Sequence, residues 1–132
     1  MKQKSLLRPE GLVQSTAFTH VAVVPPGATT IYIGGQNAVA ADGTLVGGDD
    51  IAAQTQQVMA NLVVALAAAG ASVHDLVMMT ILLVDGADLM AAYPVAAAAL
   101  AGAVPPVVAA RVAGLGVPGA LLEVSAVAAV TS

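Results

Sequence analysis

One carboxylate, Glu123, stands in an otherwise uncharged run, Leu121-Leu122-Glu123-Val124-Ser125-Ala126, near the end of a 132-residue chain. Burying a carboxylate among aliphatic neighbours costs several kcal/mol unless it is partnered, or else raises its proton affinity, which favours a functional reason for its presence. The plainer reading is a structural carboxylate satisfied by backbone amides or by Arg111, and both readings stay open. Gly34-Gly35 offers close backbone approach at a strand end, but no P-loop lysine or dinucleotide fingerprint accompanies it. His20 and His74 are isolated, and there is no cysteine. Thiolate chemistry and disulfides are therefore excluded, and neither a metal site nor a cofactor is expected. His20 reads as an ordinary strand-end histidine and His74 as a solvated one, while Met78 and Met79 read as core or interface filling.

Four cations, Lys2, Lys4, Arg8 and Arg111, face eight carboxylates, for a net charge of -4. Beyond residue 8 only Arg111 is basic, whereas a phosphate backbone requires clustered Lys and Arg, so no nucleic-acid partner is expected. Met1 to Leu12 is polar and broken by Pro9 and Gly11, unlike a secretory signal, which points to a cytoplasmic location. Residues 89–110 lack charge over 22 positions, but alanine dominates and Pro94, Pro105 and Pro106 interrupt them, so no membrane span is expected.

Several elements must position these groups. Ile51, Val58, Leu62 and Leu66 fall on one helical stripe, predicting a helix over 50–69 with Asp49 as N-cap and Gly70 as the left-handed residue at its end. A second helix is predicted over 88–101, closed by Gly102 and kinked or split at Pro94. Strands are predicted over 20–24, 30–34, 76–84, 107–113 and 121–130, with Pro25-Pro26-Gly27 turning between the first two and a short strand near 44–46. Residues 1–10 are expected to be loose. With 58% hydrophobic residues, dominated by 30 alanines and 21 valines, the chain reads as one folded domain.

The runs 76–84 and 121–130 are apolar on both faces, as in strands covered on both sides. Five or six strands make a sheet about 25 Å wide, and two helices about 10 Å across cover one side of it. A second copy of the chain must then cover the other, which implies an obligate oligomer with ligand sites at its seams.

Taken in order, Ala17-Phe18-Thr19-His20, Ile33-Gly34-Gly35-Gln36, the helix with Gln54, Gln57 and Asn61, Gly70 followed by Asp75-Leu76-Val77, Val112-Ala113-Gly114-Leu115 and the segment from Pro118 to Val124 resemble the Rid family. Its members are also called YjgF-type proteins or reactive intermediate deaminases. The resemblance implies a chorismate-mutase-like α+β fold, a mixed sheet with two helices on one face, assembled as a homotrimer with small-molecule pockets between subunits. It places Phe18, Gly34, Gly35, Tyr93, Val107 and Ala109 at substrate-binding positions and Glu123 at a carboxylate that positions or activates water.

Family members that hydrolyse enamines or imines such as 2-aminoacrylate grip the substrate carboxylate with an arginine, and counting back from Leu115 puts Val107 there. Valine cannot make that bidentate grip. Tyr93 falls at a family asparagine and Phe18 at a family tyrosine. Arg111 lies about 13 Å along the strand from Val107, too far to substitute in the same pocket, and a structural or inter-subunit role is expected for it. The resemblance also implies a strand between the last two, so that Arg111 does not face Glu123 as it would in a plain hairpin. Three functions are weighed: an imine- or enamine-directed hydrolase with a pocket more apolar than a deaminase's, a ligand-binding or pathway-accessory protein without turnover, and an endoribonuclease, against which the charge census speaks.

Overall fold

The computed structural model describes residues 3–131. Helix α1, Ile51–Ala68, forms on the predicted stripe: Val58, Leu62 and Leu66 are fully buried, and Ile51 nearly so. Each such side chain contributes about 1.5–3 kcal/mol by leaving water. The N-cap is Asp50 rather than Asp49: Asp50 has the extended backbone a cap requires, and its carboxylate accepts from the amides of Ala52 and Ala53. At the other end Gly70 is left-handed, φ 75°. The Ala71 amide donates to the Leu66 carbonyl and that of Gly70 to Ala67, which closes a Schellman motif.

Helix α2, Leu89–Leu100, is continuous, with Asp88 as N-cap and Pro94 inside it. The proline sits one turn from the start, so the single carbonyl it leaves unpaired is that of Met90, at the exposed beginning of the helix. The left-handed C-cap is Ala101, one residue before the expected Gly102. Twelve residues give a helix of about 18 Å, short of a membrane's apolar thickness. The longer α1 meets the length and hydropathy of a span, but it lies on the sheet with Gln54 and Thr55 buried. Neither helix contains a charged residue.

The strands are β1 Ser5–Leu7, β2 Val21–Val23, β3 Thr29–Gln36, β4 Leu76–Val84, β5 Val107–Val112 and β6 Leu122–Val130. Residues 5–7 are thus not loose; β1 pairs antiparallel with β2, Ser5 opposite Val23. Residues 1 and 2 lie outside the described residues. The turn at Pro25-Pro26-Gly27 is present, with Gly27 at φ 85°, but β2 and β3 join different sheets. The short strand expected near 44–46 reduces to one bridge, Val39 to Leu45.

The main sheet runs β3-β6-β4-β5, with β6 antiparallel to both neighbours and β5 parallel to β4. Directly paired residues share a face. Leu122, Val124, Ala126 and Ala128 of β6, with Met79 and Leu83 of β4, form the buried side that joins Val58, Met59, Leu62 and Leu66 of α1 in one core. The opposite face carries Tyr32, Met78, Thr80, Leu82, Val108 and Val127. On that face Tyr32 is 79% exposed and Val108 51%. The architecture is α+β, a mixed sheet with two helices on one face, as the sequence implied.

Candidate functional site

Glu123 pairs with Leu82 and therefore stands on the face away from the helices, half-buried. A β-bulge lies beside it: Ile33 opposes Ala126 and Gln36 opposes Val124, so Gly34 and Gly35 together oppose Ser125. Bulges of this kind bend a strand and re-aim side chains, and they recur next to active sites. The consequence is a close fit. A Cβ built on Gly35 would stand 2.6 Å from Glu123 Cδ and 2.7 Å from its Oε2, whereas one on Gly34 would meet nothing within 4 Å. Gly35 is the residue whose missing side chain houses the carboxylate. An ionised carboxylate only accepts hydrogen bonds, so what meets it on this half-buried face must donate, as water or a ligand can.

Polar side chains of α1 hold this corner in place, and their roles were not apparent from the sequence. Gln57 Nε2 donates to Asn61 Oδ1 at 2.8 Å, and Asn61 Nδ2 donates to the carbonyls of Asn37 and Val39 at 3.1 and 2.9 Å. Asn37 Nδ2 in turn donates to the Leu122 carbonyl, 3.1 Å. A chain of amides thus runs from the helix, through the end of β3, to the residue before Glu123. Gln54, fully buried, ties down the segment ahead of β6 in the same way. Its Nε2 donates to the Gly48 and Gly119 carbonyls and its Oε1 accepts from the Leu121 amide. The signal in the sequence was Gln54 standing on the apolar stripe itself, three positions after Ile51, where a polar side chain must find buried partners.

The other candidate positions lie elsewhere. Val107 pairs with Met79 and packs on the core, and Ala109 pairs with Ile81, so both belong to the helix side of the edge strand β5. Tyr93 lies on α2, half-exposed, beside a small apolar cavity of about 50 Å³ between helices and sheet, room for little more than a water molecule. Phe18 is brought to the β5 edge by its neighbour Thr19, which bridges to Pro106 and whose hydroxyl donates to the Val104 carbonyl at 2.7 Å. Its ring meets His20 edge-on, centroids 5.4 Å apart, and His20 Nε2 is within 2.7 Å of the Val13 carbonyl. One chain therefore unites Gly34, Gly35 and Glu123, and holds Tyr93, Val107 and Ala109 behind the sheet.

Arg111 donates from Nη1 to the Ala87 carbonyl, 2.9 Å, and fastens the turn ahead of α2. It pairs with Leu83, and β4 intervenes between it and Glu123. A second, wider groove of about 820 Å³ lies between α1 and α2 over Val63, Val64, Pro94 and Val95, and no titratable side chain lines it.

Several solved structures share this arrangement. A Rid protein, YyfB, of Yersinia pestis, itself of unknown function, is 33% identical, with 98% of this chain and all of that one covered and a TM-score of 0.82. A protein from Entamoeba histolytica described as an endoribonuclease L-PSP is 28% identical over 97% of this chain and all of its own, TM-score 0.72. RidA of an Antarctic Psychrobacter is 27% identical over 89% of this chain and 98% of its own, TM-score 0.69. No curated protein matches. The family model described as Endoribonuclease L-PSP matches residues 12–130, nearly the whole fold including the Gly34-Gly35 bulge and Glu123, and the chain belongs to that family, the Rid or YjgF proteins.

Proposed function

We propose that this chain works as a homotrimer with small-molecule pockets between subunits, and that Glu123 there activates water against the C=N bond of a small, weakly polar imine or of the enamine that tautomerises to it. The observation that carries this reading is the carboxylate lodged against Gly35 beside a glycine bulge. In the reaction Glu123 takes a proton from water as the oxygen bonds to the imine carbon and passes it to the nitrogen, which becomes an amine. The carbinolamine hydroxyl then gives its proton, by way of Glu123, to that nitrogen as the C–N bond breaks, so that ammonia leaves and a carbonyl product remains. Amides of Gly34 and Gly35 supply donors to the developing charge. No cofactor or metal takes part, and a cytoplasmic setting fits such a reaction.

Two features support pockets at the seams. The candidate residues divide between the two faces of the sheet, Glu123 on one and Tyr93, Val107 and Ala109 toward the other, with Phe18 at the β5 edge. A neighbour's β5 edge brought to the Glu123 face unites them. That face also presents Tyr32, Met78, Val108 and Val127, apolar area that a partner subunit buries.

Val107 makes 2-aminoacrylate itself a poor substrate, because the carboxylate finds no guanidinium at that position. The same valine favours a second reading, a ligand-binding or pathway-accessory protein without turnover. Endoribonuclease activity is disfavoured: Lys4, Arg8 and Arg111 each bond separate backbone carbonyls rather than forming a basic patch. The test is hydrolysis of imines generated in situ, with and without a carboxylate. Turnover of the carboxylate-free imine should fall about a hundredfold in Glu123→Gln. Equal rates in the variant overturn the role given to Glu123, and binding without turnover selects the second reading.

A further inference from the structure

Among the described residues neither arginine of this acidic chain makes an ion pair, and Arg8, though exposed, is tied at its Nε. Arg8 follows β1, and its Nε–H is shared between the carbonyls of Ser15, 2.7 Å, and Phe18, 3.1 Å. A guanidinium has five N–H donors in a fixed plane, so pinning Nε orients the four on the terminal nitrogens. Among the described residues those four meet no protein acceptor, and Arg8 makes no ion pair, with Glu10 of the same loop included.

Beside it is a hollow of about 280 Å³ lined by Arg8, Gln14, Ser15 and Thr16. The loop that forms it is internally tied: Gln14 Nε2 donates to the Pro9 and Leu12 carbonyls, 3.1 and 3.2 Å, and Ser15 Oγ accepts from the Ala17 amide, 3.0 Å. Those bonds leave the Ser15 and Thr16 hydroxyl protons to donate. No lining residue is acidic. The spare donors of the hollow, four N–H groups of Arg8 and two hydroxyls, outnumber its side-chain acceptors, of which Gln14 Oε1 is one, and they centre on a cation.

We propose that this hollow binds the oxyanion end, carboxylate or phosphate, of a small anionic molecule. The volume suits one such group with a short tail. Within one subunit the hollow lies on the loop ahead of Phe18 and is not lined by Glu123. It adjoins the β5 edge that the proposed function brings to a neighbour's Glu123, but oxyanion binding at Arg8 is read without turnover, so its failure and the failure of that reading are distinguishable.

The test uses the full-length protein with inorganic phosphate and, separately, propionate, at constant ionic strength, read by the Arg8 side-chain N–H and the amides of residues 15–18 in NMR. At least one probe should give saturable shifts at Arg8, while the Arg111 side chain, already bonded to Ala87, serves as internal control. Arg8→Lys should weaken binding about tenfold or more, since an ammonium lacks the paired donors. Thr16→Val, which leaves both Arg8 carbonyl bonds in place, should weaken it about threefold and keeps the test open if Arg8→Lys does not fold. Glu123→Gln should leave it unchanged. Phosphate alone, propionate alone, or both saturating supports the proposal and names the oxyanion. Linear shifts with both probes, or affinity unaltered in both Arg8→Lys and Thr16→Val, overturns it.

Discussion

Arg111 and Glu123 lie on opposite faces of the sheet: their partners, Leu83 and Leu82, are consecutive residues of β4. The one cation of the C-terminal half is thereby kept from neutralising the one carboxylate of β6, and the two serve different ends. Arg111 fastens the approach to α2, and Glu123 stands on the face away from the helices. The electrostatics of the site are decided by strand order rather than by proximity in sequence.

The glycine pair should separate stability from function. Gly35→Ala forces the Glu123 carboxylate to move, because a methyl group would stand 2.6 Å from Cδ. The far end of a flexible side chain can give way, so the fold should persist while imine turnover drops about tenfold or more. Gly34→Ala meets open space within the subunit and should leave thermal stability within about 0.5 kcal/mol of the parent. A Gly35→Ala variant with full activity would show that the carboxylate's position is immaterial.

Gln54→Ala should be the more damaging change in α1. It strips partners from the Gly48 and Gly119 carbonyls and the Leu121 amide at a fully buried position. Unpartnered buried groups of this kind cost about 3 kcal/mol in sum, readable as a lower urea midpoint. A loss below about 1 kcal/mol would mean that water replaces the amide.

The two adjacent aspartates at the head of α1 should behave differently. Asp50→Ala removes the acceptor for the Ala52 and Ala53 amides and should cost about 1 kcal/mol, while Asp49→Ala should cost a few tenths. Denaturant titration of both variants distinguishes them, and equal losses would contradict the capping geometry.

Asp42 supplies the pH dependence. The backbone amide of Thr44 and then its hydroxyl, which donate to Oδ1 at 3.0 and 2.7 Å, hold this carboxyl below its ordinary value. With the folded value depressed, its stabilisation is complete above the unfolded carboxylate value, about 3.9, and is lost as pH falls through the folded one. Asp42→Asn should therefore show a shallower acid decline than the parent below about pH 4. Parallel declines would refute the assignment.

Tyr32→Asp tests assembly. The side chain is exposed in a single subunit, so the change should spare the fold yet break an apolar seam on that face. Sedimentation should show the proposed trimer in the parent and smaller folded species in the variant, and a variant that assembles like the parent would contradict a seam on that face.

Much of this architecture could be read from residue pattern. The run from Leu76 to Val84 became β4 residue for residue, and the α1 stripe with Gly70 behind it became the predicted helix, because burial and a left-handed stop leave strong local marks. What escaped depended on distant partners. Ser5–Leu7 is too short to announce itself and is a strand only because Val21–Val23 pairs with it. Asp49 and Asp50 are equally competent caps by residue type, and only the backbone conformation, extended at Asp50 just before the helix, distinguishes them. Glu123 was recognisable as a lone carboxylate, but its nesting against Gly35 rests on the register of β3 against β6, which no local pattern encodes.

The absence of any ionisable acid or base from α1 and of any acid or base but the Tyr93 phenol from α2 reaches beyond folding. The surface built by these helices carries no carboxylate, ammonium or guanidinium, so mutual repulsion between particles rests on the groups in the turns and strands. Near the isoelectric point that the sequence gives, about 4.6, the net repulsion vanishes and leaves this uncharged surface unprotected by it.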